Sequence, residues 1–268
     1  MQAMKVNGVT LHWRSDGPED ATGQARVLVF SNSLGTDLRI WDPLLPHLPA
    51  GWRLIRYDKR GHGLSDLPGT GWGMGDHVAD LAGLLDGLGL TGAAGGAVVC
   101  GLSVGGMIAQ GLAAERPELV RALILCDTGA KIGSPELWDE RIRTVEGPGI
   151  AAMADGVMER WFTPAFRRDR AEFPLYRNML IRTTAGGYAG TCAAIRDTDL
   201  RESTGRLRLP CLAVCGDQDG ATPPDLVRET AALIPGSRFE LIRGAGHIPP
   251  VEQPEALGAL ITRFLAEL

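Results

Sequence analysis

No stretch of the 268 residues holds the roughly 20 consecutive apolar positions that a helical membrane span requires. The start, Met1-Gln2-Ala3-Met4-Lys5-Val6-Asn7-Gly8, has no charged segment leading into an apolar one, so no secretion signal is expected and the chain reads as cytoplasmic. The five cysteines (Cys100, Cys126, Cys192, Cys211, Cys215) form no C-x-x-C pair and sit mostly in apolar runs. They are expected to be small buried hydrophobes in a reducing compartment, neither disulfides nor metal ligands. His12, His47 and His77 are scattered without metal-ligand spacing. Positive charge is also in deficit: 27 Lys and Arg against 32 Asp and Glu leave a net charge of −5, which disfavours nucleic acid and anionic membrane as partners. No repeat or low-complexity segment is visible, and nothing calls for a metal, nucleotide or flavin cofactor.

What is present alternates. Val9 to Trp13 has the period of an edge strand, and Val27-Leu28-Val29-Phe30, Leu54-Ile55-Arg56-Tyr57 and Ala97-Val98-Val99-Cys100 read as buried strands. Leu123 to Cys126, Cys211 to Cys215 and Phe239 to Ile242 continue the series. Between them, Val78 to Leu88, Pro224 to Ile234 and Pro254 to Leu268 carry the 3.6-residue spacing of amphipathic helices. Strands and helices in turn imply a mostly parallel central sheet covered by helices on both faces, an α/β fold. Residues 131–205 break the pattern. They hold helix-like pieces punctuated by Gly147-Pro148-Gly149 and Thr163-Pro164, which reads as a helical lid near strand ends, where open α/β sheets place ligands.

The most informative residues are Gly101-Leu102-Ser103-Val104-Gly105-Gly106, which follow the Ala97 to Cys100 strand and lead into an apolar helical run from Met107. Strand, tight turn and helix in that order is the context of a nucleophile elbow: the serine sits in a strained turn at a helix N-terminus, with glycines leaving room for strand and helix to approach. Ser103 is the expected nucleophile. A serine alkoxide needs a base and the base an orienting acid. His247, in Gly244-Ala245-Gly246-His247-Ile248-Pro249-Pro250, follows the last strand, and Gly216-Asp217-Gln218-Asp219-Gly220 follows the one before it. Counted from the strand end, Asp219 clears the sheet edge better than Asp217, so Asp219 is the expected acid and Asp217 the cap of a turn. His62 precedes the nucleophile and is expected to brace its own loop. For the oxyanion hole, the residue after the serine supplies one amide, Val104, and the loop after Phe30 the other, Leu34, with Gly35 letting that loop turn.

Together these motifs resemble the α/β-hydrolase superfamily and, more narrowly, its 3-oxoadipate enol-lactonases. Broad elements are Tyr57 to Asp66, the segment around Ser103 and Gly244 to Pro254; narrower ones are Ser31 to Asp37, Thr128 to Gly133, Cys192 to Asp199 and Gly216 to Pro224. Val104 departs from the methionine expected there, which leaves the backbone amide intact. The resemblance implies an α/β-hydrolase fold with a helical lid after the sixth strand (131–205) between core segments 1–130 and 206–268. It also implies hydrolysis of a five-membered enol-lactone to 3-oxoadipate in bacterial breakdown of catechol or protocatechuate. That substrate carries a free carboxylate, so a lid cation should line the pocket. Of the eleven arginines from Arg141 to Arg206, Arg196 stands out for its family-like stretch, and Lys131 for its place where the lid begins. Trp138 and Trp161 are expected to wall the pocket. Another ester or lactone hydrolase, a cofactor-free haloperoxidase or C–C bond hydrolase, and a non-catalytic binding protein on the same scaffold are the competing expectations.

Overall fold

The computed structural model describes residues 1–18, 26–69, 71–90 and 96–268. Its sheet has eight strands: β1 (Gln2–Val6), β2 (Val9–Asp16), β3 (Arg26–Ser31), β4 (Trp52–Tyr57), β5 (Ala97–Leu102), β6 (Val120–Cys126), β7 (Cys211–Gly216) and β8 (Arg238–Ile242). They lie in the order β1-β2-β4-β3-β5-β6-β7-β8, parallel except for β1 and β2. The central strands β5 and β7 are buried along their whole length, which is why they read as unbroken apolar runs.

The edge differs from the sequence expectation. Val9–Trp13 is not the edge but the start of β2, and β1 lies outside it, joined by an Asn7-Gly8 turn with both residues at positive φ. Asn-Gly between two alternating runs is a hairpin signal in its own right. β1 alternates between half-buried and exposed positions, so it carries no apolar run.

Helices α1 (Met74–Gly87), α2 (Val104–Glu115), α9 (Pro224–Leu233), α10 (Pro249–Glu252) and α11 (Pro254–Leu265) accompany the sheet. Six more fill the interval between β6 and β7: α3 (Pro135–Glu146), α4 (Ile150–Trp161), α5 (Pro164–Asp169), α6 (Phe173–Ile181), α7 (Ala185–Arg196) and α8 (Arg201–Gly205). The fold is that of an α/β hydrolase with its helical cap after the sixth strand. No helix among the described residues is long and apolar enough to cross a membrane. All five cysteines are buried and unbridged.

Candidate active site

Ser103 stands between β5 and α2 at φ 57°, ψ −120°. A non-glycine residue held there costs on the order of 1–3 kcal/mol, so its surroundings must impose it. They do: the Ser103 amide donates to Cys126 O (3.0 Å), and its carbonyl accepts from Gly106 N (2.8 Å), Met107 N (3.2 Å) and Thr128 Oγ1 (2.6 Å). A Cβ on Gly105 would collide with the Ser31 carbonyl, so the turn closes only with glycine there. The Val104 amide, next along the chain, opens α2 and donates to no protein group among the described residues.

The loops after β7 and β8 bring the other two groups together. His247 Nδ1 lies 2.9 Å from Asp219 Oδ2, both side chains buried. Asp219 is heavily bonded: Oδ1 accepts from Ala221 N (2.7 Å) and Thr222 N (3.0 Å), and Oδ2 also accepts from Thr222 Oγ1 (2.7 Å). Burial pushes this carboxyl up, but the charge of His247 and these hydrogen bonds outweigh it and hold Asp219 below its ordinary range. An ionised Asp219 accepts a hydrogen bond from Nδ1–H, the tautomer that leaves Nε2 with its lone pair free. Asp217 turns elsewhere, accepting from Gly244 N at 2.8 Å, where it braces the loop that carries His247.

Ser103 and His247 line one cavity of about 110 Å³, with Ser33, Leu34, Trp138 and Trp161 in its wall. Among the described residues Ser103 and His247 make no hydrogen bond to each other; the cavity, not a direct contact, joins them. A larger cavity of about 520 Å³ opens between β2, the Thr36 to Arg39 loop and the Met179 to Thr183 end of α6. Among the described residues that line it there is no serine or cysteine, and its His12 is held by Asp58 at 2.8 Å. His62 bonds its own loop through Nδ1 and Arg60 O (3.1 Å) and lines neither.

The cap is tied to the histidine loop by main chain. His247 N donates to Trp161 O (2.8 Å) and Gly220 N to Arg160 O (3.2 Å), so the last turn of α4 holds both loops. Glu252 adds a clamp, its Oε1 accepting from Thr163 N and Oγ1, its Oε2 from Gly246 N.

Two cations expected in the cavity are not there. Lys131 Nζ donates to the carbonyls of Arg196 and Thr198, both at 2.9 Å, and so caps the carboxyl end of α7. Arg196 is engaged by Asp139 (2.6 Å) and Asp197 (2.7 Å) and ties α3 to α7. Family-like sequence around a cation does not say where its charge points. The arginines that line the cavity are Arg141 and Arg160. Most cap arginines pair with a nearby carboxylate. Arg141 and Arg160 form no such ion pair among the described residues; Arg141 lies over the Trp138 ring at 5.1 Å. Burial, then the like charge of Arg141, lowers the pKa of Arg160. Two arginines without a carboxylate partner in the wall of one small cavity favour an anion in it.

Asp127 escaped the sequence reading. It follows β6 as Asp217 and Asp219 follow β7, and that position after a strand was the available signal. It is fully buried at φ 45°, with Oδ1 accepting from Gly216 N (2.8 Å) and Oδ2 left without a partner. Burial and the charge of Asp219 push its pKa well up, which favours its protonated form beside Asp219. Asp127, Asp219 and His247 offer ligand atoms within 4.8 Å of one another. A metal there would have to displace the His247–Asp219 hydrogen bond and compete with the donors already on Asp219.

The model of the "Alpha/beta hydrolase family" matches residues 28–260. The chain is 34% identical to 3-oxoadipate enol-lactonase 2 of Acinetobacter baylyi over 97% of its own length and 96% of that protein's. Its fold superposes on the crystal structure of an enol-lactonase from Burkholderia xenovorans with a TM-score of 0.92, at 37% identity over 99% of this chain and 100% of the other. A thermophilic esterase from Thermogutta terrifontis, solved with malate bound, gives a TM-score of 0.90 at 29% identity over 100% and 99% of the two chains.

Proposed function

The chain belongs to the alpha/beta hydrolase family, and we propose that it opens 3-oxoadipate enol-lactone to 3-oxoadipate by serine nucleophilic catalysis. Hydrolysis of a carboxylic ester or lactone is the coarser statement, and the family and its relatives support it directly. The finer one is carried by a single observation: Arg141 and Arg160, without carboxylate partners among the described residues, line the same cavity as Ser103 and His247. A substrate that carries an anion away from its scissile carbonyl would neutralise them. Two enol-lactonase relatives, and a structural relative solved with the dicarboxylate malate, point the same way. The cavity's 110 Å³ is far below the ~300–1,000 Å³ of a drug-sized site, which suits a small acid and not a long acyl chain.

In this mechanism Ser103 Oγ attacks the lactone carbonyl carbon while His247 Nε2 takes its proton and Asp219 steadies the imidazolium. The oxyanion rests on the Leu34 and Val104 amides, each such donor being worth roughly 2.7–4 kcal/mol. Collapse breaks the ring C–O bond and releases an enolate that remains tethered to the acyl-enzyme. Protonation by His247 and ketonisation prevent it from closing the ring again. His247 then draws a proton from water, which attacks the acyl carbon and returns Ser103 with one water consumed.

The test is turnover of 3-oxoadipate enol-lactone beside a neutral p-nitrophenyl ester. The proposal expects a clear kcat/KM preference for the charged lactone and no turnover of either substrate by Ser103→Ala, which should still fold. Equal efficiency on both substrates would leave a generic esterase, and activity surviving in Ser103→Ala would remove the nucleophile.

A further inference from the structure

Lys59, in the loop after β4, is fully buried, and its Nζ lies 2.8 Å from the Ser33 carbonyl oxygen. That oxygen needs no further donor, because Thr36 N (3.3 Å) and Thr36 Oγ1 (2.9 Å) already reach it. Nor does the ammonium satisfy a neighbouring carboxylate: among the described residues Lys59 forms no ion pair. Burying a charge is costly, and a hydrophobic side chain would fill the space without that cost. The burial lowers its pKa to about 7, against the opposing pull of Asp58 and Asp37.

A trans peptide directs its C=O and N–H to opposite sides of the chain. The peptide whose oxygen Lys59 holds is Ser33–Leu34, and its other end is the Leu34 N–H. Ser33 and Leu34 line the cavity with Ser103, whereas Lys59 does not, so the ammonium and the cavity lie at opposite ends of one peptide plane. The Leu34 amide donates to no protein group among the described residues. A cation on the carbonyl oxygen also draws electron density through the amide, which makes the N–H at the far end a stronger donor. In a dry interior such fixed charge counts for far more than in water.

We propose that Lys59 is a positioning residue for the oxyanion hole: its ammonium fixes the Ser33–Leu34 peptide with the Leu34 amide aimed at the cavity and polarises that amide toward developing negative charge. The inference rests on the serine-hydrolase reading of the site with Leu34 as an oxyanion donor. It assigns a task to a buried charge that the fold itself does not need.

The charged and titratable groups around Lys59 are Asp58 and Asp37 together with His62 and His77. Burial pushes the pKa of both histidines well down and holds them neutral. On the alkaline side Lys59 is therefore the member of this cluster whose charge changes, and kcat should fall as its proton leaves. For stability the sign is opposite. The folded state binds this proton more weakly than the unfolded chain does, so stability rises with pH between the two pKa values.

The experiment compares wild type, Lys59→Met and Lys59→Gln on a neutral p-nitrophenyl ester, so that no lid cation is involved. Lys59→Met should lower kcat about 10²-fold, the cost of losing an oxyanion donor, with KM within about twofold. Its Tm should be unchanged or higher, and the alkaline limb of the kcat–pH profile should disappear. Lys59→Gln keeps a neutral donor for Ser33 O and should recover part of kcat without the limb, and it carries the test if the methionine variant fails to fold. A kcat within twofold of wild type, or a loss of kcat matched by a loss of Tm that Gln does not relieve, overturns the proposal. Ser103→Ala, assayed alongside, separates the outcomes: if it alone is inactive the hydrolase reading stands while the role of Lys59 falls, and if it retains turnover the reading itself fails.

Discussion

The loops at the carboxyl ends of β5, β7 and β8 are held by bonds that end on main-chain groups, from other peptides and from side chains such as Asp217, Asp219 and Glu252, whereas the cap helices α3 to α8 are laced by arginine–carboxylate pairs. In the loops, one peptide closing on another leaves little choice of residue. Gly105 lies against the Ser31 carbonyl, and His247 N finds its acceptor in Trp161 O. In the cap, seats for cations are many and nearly interchangeable, and function depends on which guanidinium groups are left without a partner. The proposed chemistry thus rests on the rigid region and the proposed substrate choice on the adjustable one.

The sharpest way to break this comparison is in the loop after β7, where two aspartates two positions apart have opposite surroundings. Asp219→Asn should lower kcat about 10⁴-fold, because the amide reverses the proton on His247 Nδ1. Asp217→Asn can still accept from Gly244 N and should leave kcat nearly unchanged. Steady-state kinetics of the two variants decides it, and the reverse ranking would mean that the loop rearranges on binding substrate.

The next effect belongs to the cap. If Arg141 and Arg160 read a carboxylate, Arg160→Met should raise KM for the enol-lactone about 10- to 100-fold, the range for a hydrogen bond to a charged group, and leave KM for a neutral ester unchanged. Arg196→Met breaks the α3–α7 tie to Asp139 and should lower Tm without discriminating between the substrates. A selective KM effect in Arg196→Met, with none in Arg160→Met, would return the role to the residue that the sequence favoured.

These two regions also divide what the sequence reveals. The places of Ser103, His247 and Asp219 in the fold are legible because a strand end, a glycine-bounded turn and chain order constrain each of them, and the structure brings His247 Nδ1 to Asp219 Oδ2 and Ser103 to the same cavity as His247. The β1–β2 hairpin was overlooked because its outer strand is only half-buried, although Asn7-Gly8 announced it. Arg196 and Lys131 drew attention through family-like neighbours, yet direction is a tertiary property: helix packing sends Arg196 to Asp139 and Lys131 to the end of α7, while Arg160, in an unremarked helix end, lines the cavity. Asp127 carries no comparable signal, since a lone aspartate after a strand, with no glycine on either side of it, looks like any turn residue.

Asp127 supplies the smallest effect and the one that tests the rigid region on its own terms. Its carboxyl is buried beside the ionised Asp219, and those two causes raise its pKa in the folded state well above the unfolded value. The sign follows: the folded protein holds this proton more tightly, so the associated stability is full below the unfolded pKa near 4 and is lost as pH rises toward the folded value. Asp127→Asn keeps an acceptor for Gly216 N and a donor toward Asp219 at every pH. The variant's Tm should therefore match wild type in acid and exceed it increasingly as pH rises, with the difference levelling off only above the folded pKa. Parallel curves would mean that Asp127 is already ionised beside Asp219, a pair of adjacent buried charges that this fold would then have to stabilise in some other way.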